Sequence, residues 1–362
     1  MTAVDPPQPL PLPGAGVLAR NRATGAFERR AARALGGVAS EAEPLLVACS
    51  GGPDSSAALI AVVRARQAAS GGEVVAATFD HGLRPPAETS ADRAAVEALA
   101  ALLGVRCLAG APGEPIATSE DAARQARYRW LGAAAREIGA AACVTGHTLD
   151  DQAETVLLRL ARGAGLAGAA GMAPDAPWPV PPEGATDPAP RLLRPLLELR
   201  RAEVLGYLEA LGMAERGLAP RQDPGNETLV FDRNRVRRRV LPELRRLNPR
   251  AAEALAGFAR RARRDDEALE VWAAAEASRL VRTGEAGVRV ERAGLRELPE
   301  AVAVRVLRAA AAELGLALGA DQLESLLRIA GRSGARLTLA GGEARTEGAA
   351  LYLERDGGAT EG

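Results

Sequence analysis

The first half of the chain alternates short apolar runs with helix-length stretches. Leu45–Cys49 and Val74–Phe79 are near-continuous apolar runs that read as buried strands, and Val105–Leu108 and Ala141–Thr145 read as two more. Between them the pattern predicts helices over about Asp54–Ala69, Glu88–Leu103, a long one opened by Thr118–Asp121, and Asp150–Arg162. A short helix near Phe27–Leu35 precedes them. Strand–helix alternation at this spacing implies an α/β fold, a doubly wound parallel sheet of Rossmann-like type. In such sheets ligands bind beyond the carboxyl ends of the strands. Further on, Gly163–Gly184 reads as a long surface loop and Arg191–Leu197 as a last strand. Arg200–Leu211 reads as an amphipathic helix with Gly212 at its C-terminus, and helices follow over about Val236–Leu247 and Pro249–Leu280. The end changes character: helical patterns at Leu298–Leu314 and Asp321–Ile329 give way to Arg336–Leu339 and Ala350–Leu353 flanking a Gly-rich turn, a small α+β domain. The expected organisation is an N-terminal arm, partly disordered (1–40), an α/β domain (41–220), a basic linker and helix (221–250) and a C-terminal domain (251–362).

At 362 residues the chain exceeds one compact core, which fits that division. All 46 basic residues are arginine; no lysine occurs anywhere. Any cationic phosphate contact must therefore be an arginine fork or a backbone N–H, and a P-loop of the Walker type, which needs its lysine, is excluded. Net charge is zero, which argues against whole-molecule attraction to RNA but not against local patches. Three cysteines far apart, with no Cys-x-x-Cys, argue against metal or iron–sulfur ligation and fit a reducing, cytoplasmic setting. The Pro-rich N-terminus lacks the apolar core of a signal peptide, and no stretch is long and apolar enough to predict a membrane span.

Three groups of polar residues follow three predicted strands and should converge on one sheet edge. Ser50-Gly51-Gly52-Pro53-Asp54-Ser55 follows the first. Its glycines permit a tight turn and close approach to an anion, and the helix behind it offers N–H groups and a positive dipole end. A plain strand–helix turn capped by Asp54 or Ser55 is the bland alternative. Asp80-His81-Gly82-Leu83-Arg84-Pro85 follows the second and contains one of only two histidines. Thr145-Gly146-His147-Thr148-Leu149-Asp150-Asp151-Gln152-Ala153-Glu154 follows the fourth. One aspartate there can cap the helix, but that does not account for Asp151 and Glu154 three apart on one face. Clustered carboxylates beside a phosphate site invite Mg²⁺ or an ammonium group. On the long helix, Arg124 and Arg127 share a face of Ala123-Arg124-Gln125-Ala126-Arg127-Tyr128. From Arg221 to Arg264 arginines outnumber acids by thirteen to five, read either as a solvated basic helix or as an RNA-backbone contact.

Ser-Gly-Gly-x-Asp-Ser after an apolar strand resembles the signature of the PP-loop (N-type) ATP pyrophosphatases. The DHGLR string, the ARxxRY helix, the GHxxDDQxET block running on to Arg162-Gly163 and Gly171-Met172, and Phe231-Asp232-Arg233-Asn234-Arg235-Val236-Arg237 resemble the tRNA(Ile)-lysidine synthase family within that class. The resemblance is close over about 43–250 and loose beyond. Ala169 and Gly225 depart from the family's usual Leu and Ser.

The resemblance implies an ATP-dependent C–N ligase. ATP adenylates O2 of the wobble cytidine of the CAU anticodon of tRNA(Ile), pyrophosphate leaves, and the ε-amine of L-lysine displaces AMP at C2. That changes the codon read from AUG to AUA. It implies ATP binding by Ser50, Gly51, Gly52, Pro53, Asp54, Ser55, Asp80, His81 and His147, with Asp54 a candidate Mg²⁺ ligand. Asp54, Asp151, Glu154, Arg124 and Arg235 are expected catalytic residues. Asp150, Asp151 and Glu154 are expected to hold lysine, and Arg84, Arg127, Arg194, Arg233, Arg237 and Arg238 to contact RNA. A homodimer is left open. The alternatives are another PP-loop ligase that amidates a small molecule, which would turn over ATP without RNA, and a non-catalytic RNA-binding relic.

Overall fold

The computed structural model describes Leu18 and residues 21–82, 85–113, 119–180, 189–221, 232–284 and 287–356. The expectations for Leu83, Arg84, Thr118 and the segment 222–231 lie outside the described residues, as does most of the N-terminal arm. The chain forms two compact units, Met1–Ala259 and Arg260–Gly362.

The first unit begins with α1 (Arg22–Leu35), which starts earlier than its apolar pattern suggests. Asn21 accepts from Thr24 N while the Thr24 hydroxyl accepts from Asn21 N, a reciprocal cap that carries the helix back through polar residues. Phe27, Ala31 and Leu35 of this helix are in the core, and Phe27 stacks on Tyr207 at 4.1 Å. Buried Arg64 pairs with Glu28 and donates to Leu18 O at 2.7 Å, and Tyr207 donates to the same carboxylate at 3.1 Å.

Then come β1 (Leu45–Ala48), α2 (Pro53–Ala69), β2 (Val74–Phe79), α3 (Pro86–Leu103), β3 (Arg106–Gly110), α4 (Glu120–Glu137), β4 (Ala142–Val144) and α5 (Leu149–Ala161). The stretch read as a long surface loop contains a one-turn helix, α6 (Leu166–Ala169), and a two-residue strand, β5 (Asp175–Ala176). It is pinned by Gln152, which donates to Met172 O and accepts from Met172 N. β6 (Arg191–Leu193) and α7 (Arg201–Ala210) complete the α/β part.

The sheet order is β3-β2-β1-β4-β6-β5, parallel throughout except for edge strand β5. Alternate residues serve opposite faces. Leu45, Val47, Val74, Ala76, Ala142 and Val144 join the core under α1, α2 and α7, whereas Leu46, Val75, Ala77 and Cys143 join the core under α4. Covering both faces is why these strands read as unbroken apolar runs. The strand order reverses between β1 and β4, which opens a crevice at their carboxyl ends.

Beyond the sheet, α8 (Asp232–Arg235) runs through a π-helical turn at Val236–Val240 into α9 (Leu241–Leu247), and α10 spans Ala251–Leu280. The second unit holds β7 (Val281–Gly284), β8 (Gly287–Glu291), α11 (Arg292–Glu297), α12 (Glu300–Ala312), α13 (Ala320–Ala330), β9 (Arg336–Leu339), β10 (Gly342–Glu347) and β11 (Ala350–Arg355). Its five strands form an antiparallel sheet ordered β7-β8-β11-β10-β9, with one face packed against the helices. The Gly-rich turn expected between Leu339 and Ala350 is a whole strand, β10, bounded by turns at Gly341 and Gly348. Among the described residues no helix is long and apolar enough to cross a membrane.

Candidate active site

The loop after β1 folds on itself before α2 begins. Gly51 has φ +80°, a conformation that favours glycine, and a side chain there would approach Asp92 O at 3.3 Å. Gly52, not Asp54 or Ser55, is the N-cap of α2, with Pro53 at the first helical position, where its missing N–H costs nothing. The Ser55 hydroxyl accepts from Ser50 N at 3.1 Å and donates to Gly52 O at 3.0 Å, and its oxygen lies 3.2 Å from Ser50 Oγ. The two serines thus stiffen the loop from inside while Ser50 stays exposed. Arg221 lies against it: its N–H donates to Gly51 O at 3.0 Å and its guanidinium pairs with Asp92 at 2.6 Å.

The loop after β4 abuts the first. A Cβ on Gly146 would sit 2.5 Å from Asp54 O, so only glycine permits this approach. Thr148 caps α5 in a reciprocal arrangement with Asp151, whose Oδ2 accepts from Thr148 N and Oγ1, both at 2.8 Å. Asp150 Oδ2 accepts from the backbone N–H of Arg201 at 2.8 Å, and the Arg201 guanidinium reaches Asp54 Oδ2 at 3.2 Å. The N-termini of α2, α5 and α7 therefore meet in one place, each bringing the positive end of a helix dipole. Acids in the first turns, Asp54, Asp150, Asp151 and Glu203, offset that field.

Asp151 and Glu154 do converge with Asp54, but they are already engaged. Arg233 donates to Glu154 Oε2 at 2.9 Å and to Asp151 Oδ1 at 2.8 Å; Arg237 donates to Glu154 Oε1 at 2.5 Å and to Asp151 Oδ1 at 3.2 Å. Glu154 is 1% exposed and Asp151 8%. Four residues apart across the helical turn after Asp232, the two arginines point inward instead of to solvent. Arg233 beside it is the largest influence holding Asp151 down, to about 2, against the opposing effect of burial. Burial, by contrast, pushes Asp54 up to about 6; Arg201 opposes that shift and Asp151 adds to it. Burial also lowers His147 well below the ordinary imidazole range, so it is neutral; its Nδ1 is 2.8 Å from Thr145 Oγ1.

The remaining expected residues divide. Asp80 and His81 sit at the end of β2 beside β1; Asp80 accepts from Gly82 N at 2.8 Å and His81 packs edge-on against Phe79 at 5.2 Å. Arg124 and Arg127 both lie over the Tyr128 ring, at 4.8 and 5.4 Å, and burial holds the Arg127 guanidinium below its usual range. Arg194 is 6% exposed and donates to Ala173 O at 2.6 Å, a poor placement for an RNA contact. Arg235 and Arg238 are exposed. Asp150 serves mainly as a brace, since Oδ1 also accepts from Arg245 at 2.6 Å.

Sequence reading missed Arg201. Its one trace is two arginines, Arg200 and Arg201, at a helix N-terminus, where the dipole disfavours cations. Among the described residues no three His, Cys, Asp or Glu side chains could together hold a metal. Asp54 Oδ1, however, is buried without a hydrogen-bond partner among the described residues, a hard oxygen in the first turn of the helix behind the glycine–serine loop.

A lysine-free glycine–serine loop at the switch point, facing acids from the next crossover, defines a PP-loop enzyme, and the PP-loop domain family matches residues 24–244. The TilS substrate binding domain matches residues 291–352. The tRNA(Ile)-lysidine synthase of Methylobacterium nodulans is 41% identical over 90% of this chain and 94% of its own length, and that of Salinispora tropica is 47% identical over 75% and 77%. The chain belongs to the tRNA(Ile)-lysidine synthase family, whose members are ATP-dependent ligases. Among solved structures, the U34-tRNA thiolase of Methanococcus maripaludis superposes with a TM-score of 0.53 over 67% of this chain and 80% of that one, at 16% identity, a likeness of fold.

Proposed function

We propose that the crevice between β1 and β4 joins L-lysine to C2 of the wobble cytidine of tRNA(Ile) in two steps. O2 of the cytidine attacks the α-phosphorus of ATP and the bond to the β-phosphate breaks, releasing pyrophosphate. The lysine ε-nitrogen then bonds to C2, the C2–O2 bond breaks, AMP leaves, and the nitrogen loses a proton. The observation that carries this reading is the meeting of three helix N-termini at Asp54, Asp150 and Asp151, which suits an anion held beside a cation.

In this reading the Ser50–Ser55 loop and the α2 N-terminus hold the pyrophosphate portion, with Arg221 keeping the loop closed. The unpartnered Asp54 oxygen suits Mg²⁺, which when bound would offset charge on the departing pyrophosphate. Asp80, His81 and His147 line the nucleotide side. His147, neutral and weakly basic, can orient a ligand but is too weak a base to take a proton from an ammonium. Asp151 and Glu154 receive the substrate's ammonium. Arg233 and Arg237 share those carboxylates, and their like charge favours the neutral amine that attack requires. In the same reading exposed Arg235 and Arg238 would meet RNA phosphates, and Arg124 and Arg127 the nucleotide or RNA. The free cysteines, with burial pushing Cys107 and Cys143 up to about 12, suit a cytoplasmic enzyme that does no thiol chemistry.

The test is nucleoside analysis of CAU-anticodon tRNA(Ile) after incubation with enzyme, ATP, Mg²⁺ and L-lysine. Lysidine should replace the wobble cytidine, and omitting tRNA should stop pyrophosphate release. Steady ATP turnover without RNA, and no lysidine, would point instead to a small-molecule ligase.

A further inference from the structure

Both oxygens of Asp150 already have donors, and one of the donors is main chain. Helix α7 starts at Arg201 with Arg200 as its N-cap. A guanidinium has no acceptor atom, so the first N–H of the helix must be met from elsewhere. Asp150 Oδ2 meets it at 2.8 Å, reaching across from the first turn of α5. Oδ1 accepts from Arg245 of α9 at 2.6 Å, and the carboxylate is mostly buried. The Arg201 N–H cannot leave without unwinding the start of α7. An arriving ammonium would have to compete with both donors.

Arg201 is placed against its own helix. A cation in the first turn faces the positive end of the dipole, so its charge serves something outside α7. Its ion-pair partner among the described residues is Asp54, with Nη1 3.2 Å from Oδ2. The other oxygen, Oδ1, is buried and has no partner among the described residues. The Asp54 carboxylate is therefore held at one oxygen and open at the other. A cation arriving there meets a single oxygen whose direction is already set.

We propose that Asp150 and Arg201 are positioning residues for Asp54. Asp150 fixes Arg201 through its main chain, and the Arg201 guanidinium fixes which Asp54 oxygen is offered to the cation that accompanies the nucleotide. The proposal rests on the lysidine-forming reading above and takes Asp150 out of the lysine site. Asp54 lies in the first turn behind the glycine–serine loop, so its drift would move charge where pyrophosphate departs. A misplacement of about 1 Å can cost on the order of a hundredfold in rate. The cost falls on turnover and not on nucleotide binding, which that reading gives to the Ser50–Ser55 loop. Only one guanidinium nitrogen reaches Asp54, so a lysine ammonium can stand in for it, as it could not at a forked contact.

The test is pyrophosphate release and lysidine formation by the full chain with CAU-anticodon tRNA(Ile), for wild type, Arg201→Gln, Arg201→Lys, Asp150→Ala and the Asp150→Ala/Arg201→Gln double variant. ATP affinity is read by equilibrium dialysis and Mn²⁺ affinity by the spin resonance of the free ion. Arg201→Gln should lower kcat by about tenfold to a hundredfold, change ATP affinity by less than about threefold, and bind Mn²⁺ no more weakly. Arg201→Lys should recover most of the loss. Asp150→Ala should lower kcat by about threefold to tenfold, leave KM for lysine unchanged, and add nothing to Arg201→Gln in the double variant, because it acts through that residue. Weaker ATP binding at wild-type kcat in Arg201→Gln would make Arg201 a phosphate ligand and overturn the proposal. A raised lysine KM at unchanged kcat in Asp150→Ala would overturn it too, as would fully additive losses. Should Arg201→Gln fail to fold, kcat and lysine KM in Asp150→Ala decide the matter alone. No lysidine from the wild type would overturn the catalytic reading and this proposal with it, whereas wild-type kcat in Arg201→Gln would overturn this proposal only.

Discussion

The crevice of the first unit and the outer sheet face of the second use the same chemistry, arginine against carboxylate, in opposite surroundings. At Asp151 and Glu154 the carboxylates are nearly withdrawn from water, and each is held by two guanidiniums that keep only an edge in solvent. On the sheet, Arg336 and Arg345 pair in the open. A buried pair contributes little net energy when intact but costs several kcal/mol when one partner is lost, because the remaining charge cannot be resolvated. An exposed pair contributes almost nothing either way. The first arrangement fixes geometry; the second leaves charge available.

The sharpest test of that contrast removes one buried carboxylate. Glu154→Gln removes one of the three oxygens that accept from Arg233 and Arg237, and the charge that offsets them, and should cost about 3–5 kcal/mol in the first unit's urea transition, along with lysidine formation. A loss below about 1 kcal/mol would mean the quartet is wetter than its burial implies. Next, Arg292 in the second unit donates to Ala330 O, Gly348 O and Arg332 O, each at 2.7 Å, tying the end of α13 to the β10–β11 turn. Arg292→Met should cost about 3 kcal/mol in that unit by stranding those carbonyls. If the transition does not move, water replaces the guanidinium there.

Asp54 gives a smaller, pH-dependent effect. Its folded value, about 6, lies above its ordinary 3.8, so the native state keeps a proton that the unfolded chain gives up between those values. Its stabilising contribution is complete below about pH 4 and is lost as pH rises to about 6, by at most about 3 kcal/mol at 1.36 kcal/mol per unit. Asp54→Asn should therefore gain on the wild type between pH 4 and 6 in denaturation midpoints. Mg²⁺-dependent ATP binding by the wild type should weaken as pH falls below about 6; a flat profile would remove Asp54 from cation binding. The smallest effect is expected at the exposed Arg93–Glu97 pair, where Arg93→Ala should shift stability by less than about 0.5 kcal/mol.

What could be read along the chain follows the same division. β1, β2 and β4 announced themselves because both sheet faces demand apolar residues, and the loops after β1 and β4 could be placed together because topology brings adjacent parallel strands' ends together. β10 escaped because its core-facing positions are Gly342, Ala344 and Thr346, too small and polar to stand out from a turn. α1 began early because a cap, not an apolar stripe, sets its start. Arg201 reaching Asp54, and Arg233 and Arg237 turning inward to Asp151 and Glu154, depend on contacts between segments far apart in sequence. A run of arginines looks the same whether it faces water or a carboxylate.

Gly146 sets a tolerance. Because its α-carbon bears no substituent, the strand-end turns after β1 and β4 close until one rests on the other's main chain. A single methyl would act as a shim, prying Asp54 away from Arg201 and letting water into a gap that every other residue of the crevice could have left untouched.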